Sequence, residues 1–263
     1  MRLITRIVLI IVTVLSSYYS YSQENTTEKS HSLPDRVFAV DFYLQRALPS
    51  GDNFIGNGLS DGTGYGIRMQ FDIYKNIYVG GALSQDFFSV KNTDVIGEFN
   101  RATKFNAYLF LGYDYQLNDD WNITADLGYG YSQNKNRQST EQGGGKFRDT
   151  GNVFRITTSI EYNLSSATSL YLSPSYESIS YNINSAPALV DTFDKGKFIN
   201  LALGIRFNVR DYRNVPLKDA DNQELIDLQN RDRDDLSISE KRKLYFLKKK
   251  EARRLRRERR RNN

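Results

Sequence analysis

A histidine beside a carboxylate or a serine is the usual means of activating a nucleophile or a water at neutral pH. This chain of 263 residues has one histidine, His31. It lies ahead of every patterned segment, so it is expected to be a solvated residue in a flexible leader. With no cysteine present, disulfides, thiolate metal sites and a lipidated N-terminal cysteine are excluded. Carboxylates are the remaining candidates, and a pair such as Asp41 and Asp72 could in principle work as acid and base. Those two belong, however, to a set of ten charged residues on one face of alternating segments: Asp41, Arg68, Asp72, Lys104, Asp114, Asp126, Arg155, Glu161, Glu177 and Arg206. Six acids interleaved with four bases predict a structural ion-pair network. No catalytic, metal or cofactor role is assigned to them. Gly143, Gly144 and Gly145 lack the following Lys-Ser or Lys-Thr and the strand-to-helix setting of a phosphate cradle, so they are expected at a flexible loop tip.

Alternation is what would position the ten charges. From Val37 to Val209 the dominant period is two, in eight segments near 37–48, 65–74, 77–88, 102–117, 121–132, 152–164, 170–183 and 197–209. In the fifth, Trp121, Ile123, Ala125, Leu127, Tyr129 and Tyr131 share one face, while Asn122, Thr124, Asp126, Gly128, Gly130 and Ser132 share the other. The eighth repeats this from Ile199 to Val209. In the seventh the phase slips near Ser178: Leu170, Leu172 and Tyr176 share a face, but Ile179, Tyr181 and Ile183 share its opposite. A β-bulge is expected there, or else a misplaced strand. Long and short connections alternate, and the short ones, Lys75-Asn76, Asn118 to Asp120 and Ser165 to Ser169, carry turn chemistry. These features predict an all-β fold: an eight-stranded antiparallel up-and-down transmembrane β-barrel with a short, basic, helical C-terminal tail.

Direction of the apolar face decides between a soluble lipid carrier and a membrane barrel. A carrier would turn its charged face to water and its apolar face around a ligand. The ten charges cannot line a lipid-binding pocket without large desolvation penalties, whereas as the filling of a narrow interior they can pair while the apolar face meets lipid. Outer-membrane lipid is therefore the expected environment. Tyr74, Tyr78, Trp121, Tyr115 and Tyr162 by the short turns, and Tyr65, Tyr129 and Tyr131 by the loops, are expected to form interfacial girdles. Phe54, Ile55, Val95, Ile96 and Phe99 are isolated apolar loop residues, suited to contacting a partner or packing on the rim. Gly66, Gly80, Gly112, Gly128, Gly130 and Gly204 would thin the plug locally, enough for at most a narrow water path.

Arg2 and Arg6, the apolar run Ile7 to Leu15 and Ser20-Tyr21-Ser22 have the pattern of an export signal cleaved before Gln23. The run is well short of the roughly 20 apolar residues a spanning helix needs. The expected organisation is a signal peptide at 1–22, a flexible periplasmic leader at 23–36, the barrel at 37–209 and a charged periplasmic tail at 210–263. Short turns in the periplasm and an even strand count would put both termini there. Ser239 to Asn263 holds 13 Lys or Arg against 3 Glu, whereas residues 210–238 hold 5 bases and 8 acids. Asp221 with Glu224, and Ser237 with Glu240, have capping-box spacing and predict two helices. Leu244, Leu247 and Leu255 fall on one helical face, with Tyr245 or Phe246 at its edge. The expected contact residues are Lys241, Arg242, Lys243, Lys248, Lys249, Lys250, Arg253, Arg254, Arg256 and Arg257. Three readings fit such a tail: binding to anionic lipid headgroups or peptidoglycan carboxylates, docking on an acidic periplasmic protein, or a solvated run with no fixed partner. Nucleic acid would suit the charge but is not expected for an exported chain.

Residues 37–209 resemble the small outer-membrane barrels of the OmpA and OmpX type in strand count, dyad alternation and loop rhythm. The resemblance extends to a final strand, Leu201 to Val209, that looks like the aromatic-bearing strand read by barrel-assembly machinery. In this chain 54 residues follow that strand, whereas the family's signal is C-terminal. The Ser-Gln signal end and the Tyr- and Asn-rich barrel resemble outer-membrane barrel proteins of the Bacteroidota. Barrel enzymes of this type resemble one another in needing a histidine base, which His31 is not placed to be. The expected function is that of a non-enzymatic barrel that presents extracellular loops and a polybasic periplasmic tail as an envelope tether, adhesion or scaffold protein. The alternatives are a subunit of a larger secretion or uptake complex and, third, a lipid- or peptide-acting enzyme.

Overall fold

The alternating segments are strands in a computed structural model that describes residues 36–74, 76–118, 120–137, 146–183, 190–211, 223–232 and 235–262. They are β1 (Arg36–Ser50), β2 (Gly62–Tyr74), β3 (Ile77–Ser89), β4 (Arg101–Gln116), β5 (Trp121–Arg137), β6 (Lys146–Asn163), β7 (Thr168–Tyr181) and β8 (Lys195–Arg210). Each pairs antiparallel with the next, and β1 pairs with β8, so the sheet closes into an eight-stranded up-and-down barrel. Closure leaves no sheet edge and satisfies the backbone within the sheet, the condition for crossing a bilayer with strands. Among the described residues no helix is long and apolar enough to cross a membrane. The expected signal peptide, His31, Lys75, the run Gly143 to Gly145 and Asp221 lie outside the described residues.

Local chemistry makes the tight turns. The Asn118 side-chain oxygen accepts from the N–H groups of Asp120 and Trp121, each at 2.9 Å. Likewise the Ser165 hydroxyl accepts from Ala167 N at 3.1 Å and Thr168 N at 3.0 Å. Such side chains imitate a backbone turn and hold the strands two or more residues apart. Arg36, expected in the leader, instead opens β1.

Two departures from the alternation follow from what each face meets. The β5–β6 ladder continues to Arg137 and Lys146, well past the expected limits of 132 and 152. Gln133 to Arg137 and Lys146 to Gly151 are largely polar on both faces, so pairing outlasts the hydrophobic pattern that would reveal it. In β7 there is no bulge at Ser178, because pairing with β8 runs without a shift from Thr168 to Ser180. Ile179 and Tyr181 keep the inward phase of Glu177 and are buried; the apparent slip is a change in what fills the interior. Pro174 has no N–H to give the ladder, and the Ser173 hydroxyl beside it donates to Thr158 O at 3.1 Å.

Three short helical turns decorate the loop end: α1 (Phe54–Gly58), α2 (Thr93–Ile96) and α3 (Val190–Phe193). Asn53 caps α1, its side-chain oxygen accepting from Ile55 N and Gly56 N. The tail forms α4 (Gln223–Asn230) and α5 (Ile238–Asn262). Ser237 and Glu240 make a reciprocal capping box: Glu240 N donates to the Ser237 hydroxyl at 3.3 Å and Ser237 N donates to the Glu240 carboxylate at 2.9 Å. Lys243 pairs with Glu224, and Arg231 with Glu240 at 2.8 Å, tying α4 and its following turn to α5.

Candidate functional site

All ten charged residues of the polar face point into the barrel. Arg206, 1% exposed, donates from Nε and Nη2 to the two oxygens of Asp41 at 2.7 and 2.8 Å, and from Nη1 to Glu161 at 2.7 Å. Arg68 donates to Asp126 at 2.6 Å and approaches Asp41 at 3.9 Å. At the short-turn end Arg36 reaches Asp72 at 3.1 Å, Glu161 at 3.4 Å and Asp114. A second group lies toward the loops: Lys104 meets Glu177 at 2.6 Å and Asp86 at 3.2 Å, and Arg155 meets Glu177 at 3.5 Å and Gln45 at 3.3 Å. Gln45 in turn donates to Asp86 at 2.6 Å.

Arg36, Asp86 and Gln45 were not among the expected network residues. Arg36 sits one residue before the first alternating position. Asp86 shares its face with Tyr78, Ala82 and Phe88, all buried, and that face is too aromatic to look like a polar interior. The signal that could have found Asp86 is register, since it lies opposite Lys104 in the β3–β4 ladder.

Aromatic rings complete the packing around the cations. Arg68 lies 4.2 Å from the Phe110 ring centre, Lys104 3.7 Å from Phe198 and Arg206 5.2 Å from Tyr171, within range for attraction between a cation and a ring face. Room for the rings comes from glycines on the neighbouring strand. A Cβ on Gly66 or Gly112 would fall 2.3 Å from Cζ of Tyr43 or Tyr78, and one on Gly204 would fall 2.4 Å from Cζ of Tyr171. The glycines therefore act as sockets that rings occupy, and at these positions they do not thin the plug. Tyr78, expected in the outer girdle, is one of the seated rings: it is fully buried and its hydroxyl donates to Asp126 at 3.2 Å.

The loop end is closed by an apolar cluster that includes Phe54, Ile55, Phe88, Ile179, Tyr181 and Phe198. Phe54 and Ile55 are buried, Val95 and Ile96 pack against the cluster, and Phe99 is half-buried. Most of the isolated loop hydrophobics thus pack on or into the mouth. The outer face is apolar, with Phe42, Leu44, Phe71, Leu109, Leu127 and Leu203 all exposed. Tyr74, Tyr115 and Trp121 are exposed toward the short turns, and Tyr65, Tyr129 and Tyr131 toward the loops. Trp121 lies beside Tyr162, with ring centres 4.8 Å apart.

On the tail, Lys241, Arg242, Lys243, Lys250, Arg253 and Arg257 are exposed, while Lys249 and Arg254 are half-buried. Lys248 is only 8% exposed and does not belong to an exposed contact face. Consecutive bases point to all sides of a helix, so a continuous run cannot lie on one face. Arg254 is engaged by Glu251 at 2.6 Å and Glu258 at 3.4 Å. The Arg256 side chain lies outside the described residues. Leu244, Leu247 and Leu255 are half-buried, and the exposed apolar groups are Ile238, Tyr245 and Phe246. The Ser237 hydroxyl, the Ser237 N–H and Arg231 hold the Glu240 carboxyl down at about 2.

No family model and no curated protein matches the chain. Solved structures similar to it include Neisserial surface protein A, at 15% identity over 65% of this chain and 97% of that one, with a TM-score of 0.46. The outer membrane protein OprG from Pseudomonas aeruginosa matches at 12% identity over 69% and 100%, with a TM-score of 0.43. Ail, the attachment invasion locus protein of Yersinia pestis, matches at 13% identity over 67% and 99%, with a TM-score of 0.40. In architecture the chain is a small eight-stranded barrel of outer-membrane type, an assignment that rests on its own closed ladder and outward apolar face.

Proposed function

We propose that the protein is a non-enzymatic anchor in a bacterial outer membrane, holding four loop connections outside the cell and a basic helical tail in the periplasm. Tethering or scaffolding of the envelope would be its work. The filled interior supports this most: ionic fans, seated rings and an apolar stopper occupy the barrel along its length. An interior of eight strands has room for side chains and little else. On the tail, exposed Ile238, Tyr245 and Phe246 beside Lys241 and Arg242 favour an anionic lipid surface as partner, because aromatic groups can enter the headgroup region while the bases meet its charge.

Full-length protein in phosphatidylcholine nanodiscs should capture vesicles rich in phosphatidylglycerol. The Phe246→Ser, Arg242→Gln double variant should capture markedly fewer. Equal capture by the variant would overturn the lipid reading of the tail, and stepwise ion conductance by the reconstituted barrel would overturn the anchor reading.

A further inference from the structure

Connections at the loop end converge on one cavity of about 230 Å³. Phe54 reaches it from α1, Ile96 from α2, Asn136 from β5, Phe147 and Asp149 from β6, and Phe193 from α3. Among the described residues Asp149 is its one charged lining group. Although Asp149 is only 6% exposed, no hydrogen-bond donor or cation among the described residues is paired with it. Asn136, 3% exposed, likewise has a buried side-chain oxygen without a partner. Elsewhere in the barrel buried carboxylates such as Asp41 and Glu177 are met by cations, so one amid phenylalanines with no counter-charge among the described residues departs from that pattern.

We propose that this cavity binds a small organic monocation, an ammonium group carried on an aromatic or branched apolar body. The ammonium would donate to the Asp149 carboxylate and the Asn136 oxygen. Phe54 and Phe193, packed on each other with ring centres 5.5 Å apart, supply apolar contact for the body together with Ile96 and Phe147. The volume is below the roughly 300–1,000 Å³ of sites for drug-sized ligands, which points to a ligand with one ring or a short branched chain. A neutral ligand would leave the carboxylate uncompensated and an anion would be repelled.

Titration of the full-length protein in nanodiscs with phenethylamine tests the site, with phenethyl alcohol and phenylacetate as the neutral and anionic counterparts. The amine should bind, and the other two should bind about tenfold or more weakly, the factor expected when a charge-assisted hydrogen bond is lost. Asp149→Asn should abolish the preference for the amine while raising the thermal midpoint of the unliganded protein, because it removes an unpaired buried charge. A purely structural carboxylate would give a lower midpoint. Phe147→Ala, at an exposed position, should weaken amine binding and leave the barrel folded. Equal binding of the alcohol, amine affinity unchanged in Asp149→Asn, no amine binding at millimolar concentration, or a lowered midpoint in Asp149→Asn would each overturn the proposal.

Discussion

Inside the barrel, Arg206 directs three nitrogens at two carboxylates and is 1% exposed; on α5, Lys241, Arg242 and Lys243 stand exposed in a segment where 13 bases face 3 acids. The same side-chain chemistry has opposite consequences in the two places. A base removed from the interior leaves buried carboxylates short of counter-charge, which is costly because the surroundings cannot replace water. A base removed from the tail leaves a carboxylate that water solvates at once. What surrounds a charge, more than its presence, decides how much the fold depends on it.

Substitutions can break or sharpen that contrast. The largest effect is expected for Arg206→Leu, which leaves Asp41 with only the 3.9 Å approach of Arg68 and Glu161 with only Arg36 at 3.4 Å, and should lower stability by about 3–5 kcal/mol in urea unfolding of the reconstituted barrel. A loss below about 1 kcal/mol would put the interior pairs in the same class as surface ones. Gly112→Ala should cost about 1–3 kcal/mol by the same measurement, because the new methyl meets the Tyr78 ring. Combining it with Tyr78→Leu should recover part of the loss. Lys243→Ala removes an exposed pair with Glu224 and should leave barrel stability unchanged within about 0.5 kcal/mol.

The smallest effect is electrostatic and confined to the tail. Glu240 titrates at about 2 in the folded tail, against an ordinary value of about 4.3. A lowered carboxyl contributes its stability above the ordinary value and loses it as pH falls through the folded one. The cap of α5 should therefore hold from neutrality down to about pH 4 and fade toward about pH 2. NMR titration of the Glu240 carboxyl checks this, and Ser237→Ala should move the midpoint back toward the ordinary value. A midpoint at the ordinary value in the unaltered chain would show that the capping box does not persist in solution.

Alternation made the eight strands and their inward charges legible, because Asp41, Arg68, Asp126 and Arg206 contrast sharply with Phe42, Ile67, Leu127 and Ile205 beside them. It failed where both faces have one character. Ile179, Tyr181 and Phe198 are apolar and inward, so the loop end of the interior could not be told from the lipid face, and β7 looked broken. Tyr78 was assigned to the wrong side for the same reason, since a tyrosine suits a girdle as well as an interior. Beyond the girdle, Gln133 to Arg137 are polar or charged at every position, and pairing there leaves no trace in hydrophobicity. For the tail, a run of bases announces its sign but not which bases are covered, and Lys248 was misjudged accordingly.

The seated rings bear on how the barrel selects its strand pairing. A slip of two residues keeps every side chain on its proper face, so amphipathicity alone does not forbid it. Tyr78 now lies opposite Gly112, and a slip of two would set it against Phe110 or Asp114. Tyr171 would exchange Gly204 for Ala202 or Arg206. Each ring and its vacancy thus form a key and lock that reject misaligned hairpins during assembly.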